Sequence, residues 1–127
     1  MVGVHFGFPA AASADLGFKV WLGDRAPGAA FATVEPGAFA IRYGVGYLVT
    51  DRADLTPSTP VMGGTAVRFT QLRAWTNAAG VASGVRYTGG ELTEILLFIS
   101  ARAGLYVGRR MDGRRVWLGS FDVGLGF

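Results

Sequence analysis

The 127-residue chain contains no cysteine, one histidine (His5) and one lysine (Lys19). Without cysteine there is no disulfide, no thiolate nucleophile and no cysteine-based zinc site. A single histidine excludes a two-histidine metal site and any mechanism that needs several imidazoles. Charge is also scarce, at 17% of residues against ~25% in an average soluble domain. Half of the residues are hydrophobic. A lone monomer needs polar surface, so this balance points to surface covered by partners. The net charge of +3 rests almost wholly on arginine, whose planar donor fork suits ion pairs and interfaces. It is too small for a dedicated nucleic-acid binder. No segment approaches the ~18 consecutive apolar residues of a membrane helix; the longest run is Ile95 to Ile99. The start, Met1-Val2-Gly3-Val4-His5-Phe6, lacks the basic, then apolar pattern of a secretory signal, which gives the expectation of a protein made in the cytoplasm.

What the chain does have is glycine, 20 residues of it, and a period of two. Phe39, Ile41, Tyr43, Val45, Tyr47 and Val49 alternate with Ala40, Arg42, Gly44, Gly46 and Leu48. A strand sends these sets to opposite faces, one greasy and one mostly small. Near the C-terminus, Trp117, Phe121, Val123, Leu125 and Phe127 share one parity, and Leu118, Ser120, Asp122, Gly124 and Gly126 the other. Leu105 to Met111 reads as the strand before it, and Met111-Asp112-Gly113-Arg114 as a tight hairpin turn, because Asp-Gly tolerates positive φ. Further strands are expected at Val2 to Phe8, Gly17 to Leu22, Ala30 to Val34, Thr65 to Thr76 and Val81 to Tyr87. Turn signals at Gly23 to Gly28, Glu35-Pro36-Gly37 and Asn77 to Gly80 separate them, and Thr50 to Pro60 reads as a surface loop.

One segment reads two ways. Leu92, Ile95, Leu96 and Ile99 have helical spacing, Thr88-Gly89-Gly90-Glu91 has the form of a capping box and Gly104 would end the helix. Ile95 to Ile99 also has the form of a strand buried on both faces, which its strand neighbours favour. The expected fold is therefore all-β, one domain over residues 1–127. It is an antiparallel sandwich or small barrel of about eight or nine short strands, with a short helix near 91–103 as the alternative for that segment.

Chemistry is thinly signalled. Arg109, Arg110, Arg114 and Arg115 flank the hairpin turn, with one member of each pair expected on each face. They offer an anion or protein-interaction site beside Trp117, or simply a solvated hairpin end. The carboxylate pairs Glu91/Glu94 and Asp51/Asp54 lie in or beside expected loops, where solvation is the expected state. His5 stands between Gly3 and Gly7 with no partner suggested by spacing. Gly44 and Gly46 lie within a strand and belong to no phosphate loop; glycine there marks curvature or close backbone approach.

Trp117 to Phe127 resembles the closing strand of bacterial outer-membrane β-barrels, which alternates apolar residues and ends in an aromatic. Phe39 to Val49 fits the same pattern. The resemblance implies a greasy lipid-facing side, a small or polar lumen side and an outer-membrane location. It ranks second here, because no signal peptide is visible and several expected strands fall short of the ~9–11 residues that cross a bilayer. The first expectation is a non-enzymatic structural protein without cofactor or metal. It would be a homo-oligomeric component of a larger particle, such as a bacteriophage capsid decoration or tail protein in the virion. Its partners would be other protein subunits, contacted through Arg109, Arg110, Arg114, Arg115, Trp117, Phe121 and Phe127. Nucleic acid is disfavoured as a partner, and a membrane enters only through the resemblance. A small ligand-binding barrel ranks last.

Overall fold

The structure is a computed structural model that describes residues 1–22, 28–50, 63–77 and 81–126. Eight strands follow one another: β1 (Val2–Phe8), β2 (Ala11–Trp21), β3 (Gly28–Pro36), β4 (Ala40–Val49), β5 (Gly63–Ala74), β6 (Arg86–Leu96), β7 (Ile99–Arg109) and β8 (Arg115–Leu125). Each pairs antiparallel with the next, and β8 returns to pair with β1, closing an up-and-down barrel. No helix occurs among the described residues.

The register fixes the shape. A path of directly opposed residues runs from Trp21 through Ala29, Leu48, Ala66, Thr93, Arg102, Asp122 and Gly7. It returns to β2 at Ala11, ten residues from its start. With ~3.3 Å per residue along a strand and ~4.8 Å between strands, that stagger tilts the strands roughly 40° from the barrel axis. An eleven-residue strand then advances about 28 Å along the axis. One mouth, the turn end, carries the connections β1–β2, β3–β4, β5–β6 and β7–β8. The other, the terminal end, carries Met1, Gly126 and the β6–β7 turn.

The alternation seen in the sequence holds. Trp117, Phe121, Val123 and Leu125 all stand exposed on one face of β8, and Tyr43, Val45 and Val49 on that of β4. That greasy face points out of the barrel. The expected hairpin forms, with Gly113 at φ 82° and Arg110 N–H donating to the Arg114 carbonyl at 3.0 Å.

The segment 91–103 is strand, the reading its neighbours favour, and the helical alternative falls: it is the end of β6 and the start of β7. Two expectations change. Ile95 to Ile99 is not one doubly buried strand. Leu97 and Phe98 form a two-residue turn, Leu97 takes φ 57°, and Leu96 is paired with Ile99. A run without Gly, Pro or Asn hides that turn. Val81 to Tyr87 contributes only Arg86 and Tyr87 to a named strand, while Val81 and Val85 fold over the turn end. The turn signals at residues 23–27 and 78–80, nearly all of the 50–60 loop with Asp51 and Asp54, and Phe127 lie outside the described residues.

Two apolar clusters lie inside the barrel, one at each mouth. Ala40, Leu72, Ala74, Val81, Val85, Tyr87, Tyr106 and Leu118 pack at the turn end, with Phe8 and Val116 against them. Phe31, Leu48, Ala66 and Ile95 pack at the terminal end, with Met1 and Trp21 against them. The polar residues sit between these plugs.

Candidate functional site

Between the plugs the inner wall carries three arginines, four carboxylates and the histidine, all buried: Arg42, Arg68, Arg102, Asp15, Glu35, Glu91, Asp122 and His5. Their placement follows from register. Glu35 of β3 is directly opposite Arg42 of β4, Arg68 of β5 opposite Glu91 of β6, and Arg102 of β7 opposite Asp122 of β8. Three cross-strand pairs of opposite charge thus stand at similar heights around one ring.

Within the ring each guanidinium spans several carboxylates. Arg102 donates from Nη1 and Nη2 to the two oxygens of Glu35, at 2.8 and 3.1 Å, and from Nε to Asp122 Oδ1 at 2.7 Å. Arg42 Nη1 donates to Asp122 Oδ2 at 2.7 Å and lies 3.4 Å from Glu35 and 3.6 Å from Glu91. Arg68 donates from Nε to Glu91 at 2.5 Å, from Nη1 to Thr33 Oγ1 at 2.8 Å and from Nη2 to Glu35 at 3.2 Å. Such two-pronged, charge-assisted bonds are the strong kind.

Hydroxyl groups add donors to Glu35 and Glu91, while the buried Asp15 Oδ1 has no hydrogen-bond partner. Ser13 donates to Glu35 at 2.5 Å, Thr70 to Glu91 at 3.0 Å and Tyr106 to the other oxygen of Glu91. His5 lies between Asp122 at 3.5 Å and Asp15 at 3.9 Å, partners that spacing along the chain did not suggest. The remote contacts matter most, since Arg42 and Asp122 are 80 residues apart and Arg102 and Glu35 are 67 apart.

The long side chains need room, and glycine supplies it. A Cβ at Gly44 would fall on the Arg68 side chain, and one at Gly124 on the His5 ring. The intra-strand glycine at position 44 therefore marks close approach, as expected. An eight-stranded barrel is just wide enough for its side chains to fill, and here the filling is ionic in the middle and apolar at both mouths.

The ring can hold the eight strands in register and fix the shape of the interior. Glu35, Glu91 and Asp122 accept hydrogen bonds from its guanidinium and hydroxyl groups, whereas Asp15 has only ion-pair contacts, at 3.6 Å from Arg68 and 3.9 Å from Arg102. Among the described residues no group of three or more acidic or histidine side chains is arranged to hold a metal ion. A small void beside the ring is lined by His5, Asp15, Phe31, Arg68, Thr93 and Arg102.

The residues singled out by sequence lie elsewhere. Arg109, Arg110, Arg114 and Arg115 are all exposed at the turn end, rather than one of each pair on each face. They sit where the hairpin rises past its neighbours, so no inner face remains to receive them. Trp117 and Phe121 are exposed on the outer wall of β8. Glu91 and Glu94 separate: Glu91 is buried in the ring, whereas Glu94 is on the outer wall and accepts from Thr65 at 3.0 Å. Sequence reading missed Glu35, Arg42, Arg68, Arg102 and Asp122 as a group. The available signal was a charge at the parity opposite to large apolar residues, as in Val67-Arg68-Phe69 and Phe121-Asp122-Val123.

The outer wall is the converse of this interior. Val4 and Phe6 of β1, Leu16, Phe18 and Val20 of β2, Val67 and Phe69 of β5, Leu92 of β6 and Leu105 of β7 are all exposed. Compared with protein-family models, curated proteins and solved structures, the chain matches none of them.

Proposed function

We propose that this chain is a membrane-embedded β-barrel of the outer-membrane type, a sealed scaffold or anchor that is neither an enzyme nor a conduit. The observation that carries this reading is the inversion of the fold, with large apolar side chains outside and a buried ion-pair ring inside. Water rewards the opposite arrangement. Exposed apolar patches on soluble monomers rarely exceed a few hundred Å², whereas here apolar residues stand exposed on every strand from β1 to β8. A bilayer needs such a belt and a wall without unpaired edges, and closure of β8 on β1 supplies the second. Seven of the eight strands have nine to twelve residues, the length that crosses a bilayer when tilted. The strand number is even, as in bacterial outer-membrane barrels. The apolar plugs at both mouths argue for a sealed interior.

A component of a protein particle, the first expectation from sequence, would need other subunits to cover the same belt. The belt runs around the whole circumference, which suits a continuous solvent such as lipid better than a neighbour on one side. Light scattering tests the choice. The chain should stay monodisperse in detergent micelles, associate when detergent is withdrawn and float with phospholipid vesicles after reconstitution. A folded, monodisperse monomer in plain buffer would overturn the proposal, and a defined oligomer without amphiphile would favour the particle.

A further inference from the structure

At the turn end the outer wall changes from apolar to basic over one step of the alternation. Arg73 of β5 is directly opposite Arg86 of β6, and Arg109 of β7 directly opposite Arg115 of β8. Arg86 and Arg109 stand one residue beyond the Tyr87–Gly108 pair. The four arginines therefore form one row across four adjacent strands, about 14 Å long at ~4.8 Å per strand. All four are exposed and share the outward parity of their strands.

Like charges directly opposite one another destabilise a sheet, and this row repeats the arrangement; Arg109 Nε donates one long hydrogen bond, to the Gly113 carbonyl at 3.4 Å. Among the described residues, the exposed carboxylate at this end is Asp112, which lies 3.9 Å from Arg114 rather than on the row. Two residues below the row on the same face lie Gln71, Thr88, Val107 and Trp117. A groove joins Arg86, Arg109 and Arg115 to Thr88, Val107 and Trp117. The order along the wall is thus guanidinium, then polar or aromatic side chain, then apolar belt.

We infer that this arginine row binds the phosphate groups of anionic phospholipids at the bilayer surface, an inference that rests on the membrane reading above. Guanidinium groups bind phosphate through paired donors, and the indole of Trp117 suits the boundary between headgroups and acyl chains. A lipid fits better than a free anion, because the row is continuous with the apolar belt that would hold the same molecule's tails.

The test uses the full chain in phosphatidylcholine vesicles containing a minor share of phosphatidylglycerol. Energy transfer from the tryptophans to labelled phosphatidylglycerol, against labelled phosphatidylcholine, reads the lipid composition at the wall. The expected enrichment of phosphatidylglycerol is about five-fold or more, the equivalent of one engaged arginine. It should fall by about half in Arg109→Gln/Arg115→Gln. It should vanish when Arg73→Gln and Arg86→Gln are added, with flotation unchanged. Inorganic phosphate should not displace the lipid. A barrel that inserts without enrichment overturns this inference and leaves the membrane reading standing, as does displacement by free phosphate. A chain that does not insert overturns both.

Discussion

Arg68 and Phe69 are neighbours in β5, yet one is 3% exposed within an ion-pair ring and the other 57% exposed on the outer wall. The same contrast recurs at Glu91 and Leu92 and at Asp122 and Val123. The two walls of one strand are thus built for opposite surroundings. The inner wall pairs three arginines with Glu35, Glu91 and Asp122 across neighbouring strands and leaves Asp15 Oδ1, His5 Nδ1 and Arg42 Nε without a hydrogen bond, whereas the outer wall supplies apolar area. Because side chains alternate strictly, a one-residue slip would exchange the two sets. The ring therefore specifies register as well as filling the interior.

Exchanging the two walls at one point should do most damage. Arg68→Phe combined with Phe69→Arg buries an uncompensated set of carboxylates and places a guanidinium at mid-belt, for a combined loss above ~5 kcal/mol. No folded barrel should be recovered, as judged by circular dichroism after refolding into vesicles. Removing one inner charge alone should cost less. Arg102→Met removes its three hydrogen bonds to Glu35 and Asp122, leaves two guanidiniums against four buried carboxylates and should lower stability by about 3–5 kcal/mol, read from the denaturant midpoint. One outer charge should cost less again. Leu92→Arg should lose about 2–4 kcal/mol in a bilayer, whereas Leu92→Ser should lose clearly less. Tyr106→Phe removes a single hydroxyl donor to Glu91 and should cost about 1.5–3 kcal/mol, again from denaturant titration.

The outer wall was legible in the sequence and the inner ring was not, for a physical reason. Apolar alternation is local, so the faces of β4 and β8 and the limits of β1 could be read from a few consecutive residues. The ring is made of contacts such as Arg42 with Asp122, which exist only once the barrel closes. Glu91 looked like a loop residue because Gly89 and Gly90 precede it, yet those glycines lie within β6. The Leu96 to Ile99 turn was hidden for the opposite reason, since it lacks the residues that usually mark a reversal of the chain. Seven of the eight strands also run to nine residues or more, which meets the objection of strand length to the membrane resemblance.

The absence of cysteine makes the central comparison directly measurable. Single substitutions Phe121→Cys, Val123→Cys and Leu125→Cys, each carrying a spin label, sample the outer wall of β8 in reconstituted vesicles. Accessibility to oxygen, which concentrates in lipid, is compared with accessibility to a water-soluble nickel complex. A lipid-facing wall gives high oxygen accessibility and low nickel accessibility at all three positions. High nickel accessibility, or protection from both reagents by protein contacts, would contradict the membrane reading.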